Sequence, residues 1–170
     1  SKAFAEKEFS EFDRKDYPNV FYVGMMEYDG DLHIPANYLV SPPEIDNTVS
    51  QYLCAEKITS FAISETQKFG HVTYFWNGNK SGYINKDLED YIEIPSDKIE
   101  FDKKPKMKAV EIKDKTIELL KSNQYRFGRL NFANGDMVGH TGVLDAAIEA
   151  VETVDHCVKE LLDTVKELNG

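Results

Sequence analysis

The chain has 170 residues, room for one ordinary domain or slightly more, and a globule of that size buries roughly 70% of its unfolded surface. Thirty Asp and Glu against twenty Lys and Arg give a net charge of −10. That argues against nucleic-acid binding, where counterion release needs clustered cations, but not against a small anionic substrate, which needs only a few. At 41% hydrophobic and 12% aromatic residues the composition excludes a disordered chain, and no apolar run approaches the ~20 residues of a membrane span.

The opening stretch, SKAFAEKEFSEFDRKDYP, is charged throughout and lacks an apolar signal core. Cytoplasm is the expected compartment. Residues 3–13 read as a short acidic helix with Phe4, Phe9 and Phe12 near one side. NVFYVGMMEY (19–28) reads as a strand, Asp29-Gly30 as a hairpin turn, and LHIPANYLV as a second extended run. Pro35 confines that run to a sheet edge or a loop. Ser41-Pro42-Pro43 is the strongest punctuation and predicts a linker. After it, Ile45, Val49, Tyr52 and Leu53 recur at helical spacing, with Asp46 or Ser41 available as a cap.

ITSFAIS (58–64) predicts a strand, followed by the polar loop Glu65-Thr66-Gln67-Lys68. HVTYFW (71–76) reads as another strand, closed by the turn Asn77-Gly78-Asn79, and Tyr91 to Ile94 as a short one. Ala109 to Leu120 predicts a helix with Val110, Ile117 and Leu120 on one stripe, and RLNFA (129–133) a strand. The longest helix is expected over about 143–168, its apolar stripe running through Leu144, Ile148, Val151, Val154, Val158, Leu161, Val165 and Leu168. Beyond residue 42 helices and strands alternate, which predicts an α/β layer with a largely parallel sheet. Cys54 and Cys157 are too few for a disulfide framework and fall on apolar helix faces, as buried inert thiols do.

In open α/β sheets ligands bind beyond the carboxyl ends of the strands, so two loops draw the chemistry. One carries Glu65 and Lys68. The other, Asn134 to Gly142, holds three glycines in nine residues, with Asp136 and His140 four apart. On one helical turn that spacing puts a carboxylate and an imidazole on one side, a donor pair suited to Mn²⁺ or Zn²⁺. The plainer reading of the same residues is an Asx-type turn and a capping histidine. A metal also needs three or more protein ligands, and nothing adjacent supplies a third. Lys68 is open in the same way, between a solvated surface lysine and a cation facing a phosphate or carboxylate. Glu65 can cap, pair with Lys68 or orient a substrate. His71, at the head of an apolar run, reads as a structural histidine. Tyr74, Phe75 and Trp76 read as packing residues rather than a base-stacking platform.

Two segments together, SETQKFGHVTYFWNGNKSGY (64–83) and NFANGDMVGHTG (131–142), resemble the cofactor-independent (2,3-bisphosphoglycerate-independent) phosphoglycerate mutases of the alkaline phosphatase superfamily. LVSPPEIDNT (39–48) and YIEIPSD (91–97) fit the same pattern, in the same order. The resemblance implies a glycolytic isomerase that interconverts 3-phosphoglycerate and 2-phosphoglycerate through a phosphoserine. It implies two Mn²⁺ ions per complete enzyme, with Mg²⁺ or Co²⁺ as substitutes, and no 2,3-bisphosphoglycerate requirement. By that comparison Asp136 and His140 are ligands of one Mn²⁺, Lys68 contacts the migrating phosphoryl group, and Glu65 stands beside the substrate.

The fold so implied is part of an alkaline-phosphatase-like three-layer α/β/α sheet domain, preceded by the tail of an inserted α/β transferase domain. Residues 1–41 would be that tail, 42–43 the hinge and 44–170 the central part of the phosphatase-like domain. The family's serine nucleophile, its Asp-His-Gly element for the second metal and its substrate-gripping arginines have no counterpart in these residues. The chain is therefore expected to be an internal fragment, inactive alone, of a monomeric, cytoplasmic enzyme with a small-molecule substrate and neither nucleic-acid nor membrane partners. A related phosphohydrolase or phosphopentomutase, or a non-catalytic interaction module, are the competing readings.

Overall fold

The structure is a computed structural model that describes every residue except 1, 18, 29–32, 42 and 44. The chain divides into two units, Ser1–Ile45 and Asp46–Gly170.

In the first unit, α1 spans only Lys2–Ala5, shorter than the helix expected over 3–13. The Arg14 guanidinium explains the stop: it donates to the carbonyls of Ala3 and Glu6, at 2.8 and 2.7 Å, and of Lys7, at 2.7 Å. Carbonyls that a longer helix would have bonded are thus satisfied by a side chain. Two three-residue strands follow, β1 (Gly24–Met26) and β2 (Tyr38–Val40). They pair in parallel, Gly24 with Tyr38 and Met26 with Val40, so these two strands do not form the expected hairpin ladder. The turn expected at Asp29-Gly30 lies outside the described residues. Pro35 is buried, and an added Cβ on Gly24 would meet its ring at 2.5 Å, so the glycine is what lets the backbone pass.

The second unit is built on three parallel strands, β3 (Ser60–Glu65), β4 (Glu89–Ile94) and β5 (Phe127–Leu130), in the order β4-β3-β5. The expected α/β architecture is present. Every residue of β3 is buried, as the centre of a parallel sheet requires. Phe61 and Ile63 point to one face and pack against Ile112 and Leu119 of α4 (Ala109–Lys121), with Ile92, Ile94 and Leu130 around them. The opposite face carries Ser60, Ala62 and Ser64, alternating as a strand must.

α2 (Val49–Ala55) is capped by Thr48 rather than Asp46 or Ser41: Thr48 and Gln51 form a reciprocal capping box. HVTYFW is not a strand. Thr66–Lys68 form one 3-10 turn, α3 covers Phe69–Val72, and turns continue to residue 78. Val72 and Thr73 are buried while Phe75 and Trp76 stay exposed; a local bond from Thr73 to the Phe69 carbonyl (2.8 Å) and a long-range one from Arg129 to that of Val72 (2.7 Å) hold the turn. In α4 the buried stripe is Ala109, Ile112, Lys113, Thr116 and Leu119, so the predicted stripe is off by one or two positions and Val110 is exposed.

The Gly-rich loop is also helical: α5 spans Asn134–Gly139. Only Gly142 in that segment is left-handed (φ +72°), at the bend into α6 (Leu144–Glu167). α6 packs on α4 and α5. Of the expected stripe it buries Leu161, and Val154 and Val165 in part; the rest of its buried residues, Ala146, Ala150, Cys157 and Thr164, are small. Leu144 is 72% exposed and Val151 59%, with Ile148, Val158 and Leu168 exposed beside them. A second cluster, Met107, Ala133, Val138, Ala146 and Ala150, joins α5 to α6. Among the described residues no helix is long and apolar enough to cross a membrane.

Candidate metal centre at the ends of the parallel strands

The carboxyl ends of β3 and β5 are clamped together. Asn131 donates its N–H to the Ile63 carbonyl (3.1 Å), and the Ser64 hydroxyl donates to the Asn131 carbonyl (3.2 Å). The loops leaving these ends therefore meet. Lys68 ends the 3-10 turn after β3, and Asp136 lies in the first turn of α5 after β5. The Lys68 ammonium pairs with Asp136 Oδ2. The other carboxylate oxygen, Oδ1, is 3.3 Å from His140 Nε2, one helical turn on.

Three of the four residues singled out from sequence thus converge, in a graded setting: side-chain exposure is 17% for Lys68, 48% for Asp136 and 79% for His140. The Lys68 hydrogen bond holds the Asp136 carboxyl below its ordinary value, with the charges of Lys68, His140 and His71 adding and partial burial opposing. α5 is placed by Asn134, whose amide donates to the carbonyls of Pro105 (2.8 Å) and Lys106 (2.9 Å).

The fourth residue, Glu65, is turned away. Its carboxylate is fully buried, accepting from the Ser96 hydroxyl (3.2 Å) and from the backbone N–H of Lys108 (3.0 Å), the residue that precedes α4. Burial raises its pKa, and the two hydrogen bonds and Lys108 pull the other way. This carboxylate fastens the end of β3 to the stretch after β4 and to the start of α4.

His71 belongs beside the site although the sequence suggested a structural strand residue. It lies on α3, exposed, and its ring is 5.1 Å from that of Phe75. The spacing Lys68-x-x-His71 is the signal that a helical reading would have supplied.

A carboxylate oxygen and an imidazole nitrogen on one turn are suitable donors for a divalent transition metal. They make up part of a ligand set: among the described residues no group of three His, Cys, Asp or Glu side chains could hold an ion, and a protein metal site needs at least three donors. The chain thus fits two positions of a metal centre, with an ammonium poised against the same carboxylate. That combination can neutralise an anionic group brought to the ends of the strands.

A family model described as the metalloenzyme superfamily matches residues 14–170. The chain is 51% identical over 170 residues to the 2,3-bisphosphoglycerate-independent phosphoglycerate mutase of Trypanosoma brucei brucei, covering 100% of this chain and 31% of that protein. It is 50% identical over 171 residues to 2,3-bisphosphoglycerate-independent phosphoglycerate mutase 1 of Arabidopsis thaliana, with the same coverage of 100% and 31%. Among solved structures, a phosphoglycerate mutase of Leishmania mexicana determined at low cobalt concentration superposes with a TM-score of 0.88 at 52% identity, over 99% of this chain and 31% of that one. The chain spans about a third of the length of the curated relatives it matches.

Proposed function

Because the chain belongs to the metalloenzyme superfamily, we propose that it forms the metal-holding middle of a 2,3-bisphosphoglycerate-independent phosphoglycerate mutase. That enzyme would interconvert 3-phosphoglycerate and 2-phosphoglycerate in the cytoplasm, as a monomer. The observation that carries the reading is the convergence of Lys68, Asp136 and His140 at the strand ends, in a chain about half identical throughout to enzymes of that name.

Asp136 and His140 would hold one of two Mn²⁺ ions, with Mg²⁺ or Co²⁺ as substitutes and no need for 2,3-bisphosphoglycerate. A bound divalent ion supplies Lewis-acid neutralisation of charge on the phosphoryl oxygens. Asp136 stays ionised through the neutral range because Lys68 stabilises its anion, and His140 must be neutral to offer a lone pair. Lys68 adds a fixed positive charge where the phosphoryl group is transferred, without the reorganisation that water would need. Glu65, assigned to the substrate by resemblance, acts here through the backbone that carries Lys68, since both carboxylate oxygens are committed inside the fold. Residues 1–41 would close a transferase domain, with 42–43 the hinge and 44–170 the phosphatase-like part.

The test is steady-state kinetics of the complete mutase with Mn²⁺. Lys68→Ala should lower turnover by roughly 10²-fold or more, the loss typical of one preorganised charged donor. His140→Ala should abolish activation by Mn²⁺ at concentrations that saturate the parent enzyme. Full turnover in both variants would reject the assignment.

A further inference from the structure

We propose that Arg129 is a positioning residue for Lys68, acting as a buried brace on the short helix that follows Lys68. The inference rests on Lys68 being the phosphoryl-facing cation, and extends that reading to a residue far from it in sequence.

Arg129 sits in β5 beside Ala62 of β3, with Tyr91 of β4 on the other side of Ala62. All three side chains therefore share the polar face of the sheet. Arg129 is 6% exposed. Its guanidinium carbon lies 5.5 Å from the Trp76 ring centre and 5.3 Å from that of Tyr91, and Nη2 is 3.7 Å from Glu89 Oε1. Glu89 is itself fixed, accepting from the N–H groups of Ile84 (2.7 Å) and Asn85 (3.0 Å) and from the Tyr91 hydroxyl (3.1 Å).

Only one guanidinium nitrogen makes a hydrogen bond: Nε donates to the Val72 carbonyl at 2.7 Å, while Nη1 and Nη2 have no hydrogen-bond partner among the described residues. As a filler this is a poor choice. Burying a charge with two unused donor nitrogens costs stability that an apolar side chain would not. What the arrangement does supply is a rigid strut ending on Val72.

Val72 is the last residue of α3, and Lys68 immediately precedes its first, Phe69. A four-residue helix with no side-chain cap has no stability of its own, so its position depends on what holds its ends. Upstream, Glu65 is tied to Ser96 and Lys108. Downstream, the Arg129 strut takes the Val72 carbonyl. Lys68 hangs between these two buried anchors with its ammonium against Asp136. The ring and ion-pair contacts keep the guanidinium plane in one orientation, so the bond to Val72 transmits the geometry of the sheet to the segment.

Arg129→Lys tests this, because it keeps the charge beside Glu89 and most of the stem but loses the planar fork. Hydrogen–deuterium exchange of the 170-residue chain should show residues 66–79 exchanging roughly tenfold faster, with 109–121 and 144–167 unchanged. Unaltered exchange in 66–79, or an equal rise everywhere, would overturn the proposal. In the complete mutase the same substitution should lower kcat roughly tenfold with KM within about twofold, as expected for a displaced group acting in the transition state. An unchanged kcat would equally overturn it. Should Arg129→Lys not fold, Glu89→Gln, which removes the counter-charge and keeps the shape, is read by the same two measurements. If the unsubstituted complete protein does not isomerise phosphoglycerate, the functional reading fails, and the exchange result still decides whether Arg129 braces the Lys68 segment.

Discussion

Glu65 and Tyr125 show how single side chains register their surroundings. Glu65 is an acid enclosed by the fold, its pKa raised above the ordinary 4.5 by burial. A raised carboxyl favours the folded state most when protonated, so its contribution is complete below pH 4.5 and declines as pH rises through the folded value. Glu65→Gln, which remains neutral, should therefore gain stability relative to the parent chain as pH rises above 4.5, a trend that urea unfolding at several pH values would reveal. Tyr125 donates to Asp90 Oδ2 at 2.5 Å, and burial together with that carboxylate pushes its pKa up to about 12. Its folded value exceeds the ordinary 10.0, so the stabilisation is present below pH 10 and lost between there and about pH 12. Burial also raises Tyr91, so ultraviolet titration should find late-ionising tyrosines, and Tyr125→Phe should remove the step that runs up to about pH 12. At this scale the spacing of Asp136 and His140 allowed a shared side on one helical turn without separating a metal pair from a turn and its cap, and it was the resemblance that singled them out together with Lys68. The Arg129 bond to Val72 was not legible, since nothing in a linear sequence pairs positions 72 and 129.

Elements repeat the lesson with different physics. β3 was readable from its apolar run, and its helix-bearing loops confirm the α/β alternation. HVTYFW misled because a short apolar stretch carries no period that separates strand from helix. The surrounding bonds decide, here those from Thr73 and Arg129. The Gly-rich segment misled in the opposite direction: Gly135 and Gly139 sit in a helix with open space where a Cβ would go. Gly128 is different. It faces Phe61 across the β3–β5 ladder, and a Cβ there would lie 2.3 Å from the ring. Phe61 is locked in turn by the Tyr125 ring, 5.3 Å away edge-on. Gly128→Ala should therefore destabilise the sheet by about 1–3 kcal/mol, the usual cost of overpacking a filled core. Thermal or denaturant unfolding measures that directly, and a neutral result would mean that Phe61 has room to retreat.

On the scale of the whole molecule the dominant feature is the outer face of α6. Periodicity correctly announced an apolar stripe, but periodicity cannot say what covers it. The helix turns its small residues toward α4 and α5 and leaves Leu144, Ile148, Val151 and Val158 to solvent. A continuous surface of that kind promotes self-association. The 170-residue chain should bind a hydrophobic dye and sediment as more than a monomer, and Val151→Glu with Leu144→Glu should suppress both. A clean monomer that leaves the dye dark would contradict the exposure.

The parallel ladder has one more consequence, for the order in which the chain is made. Ser60 finds its β4 partner at Glu89 and its β5 partner at Phe127, 29 and 67 positions on. No rung can close between sequence neighbours. A ribosome must release β3 long before either flank exists, so the most water-averse strand of the molecule waits, unpaired, for residues still being translated. Contacts of such long range fold slowly and leave edges open to misassembly. During synthesis, a chaperone holding that waiting strand would guard the one step this topology cannot hurry.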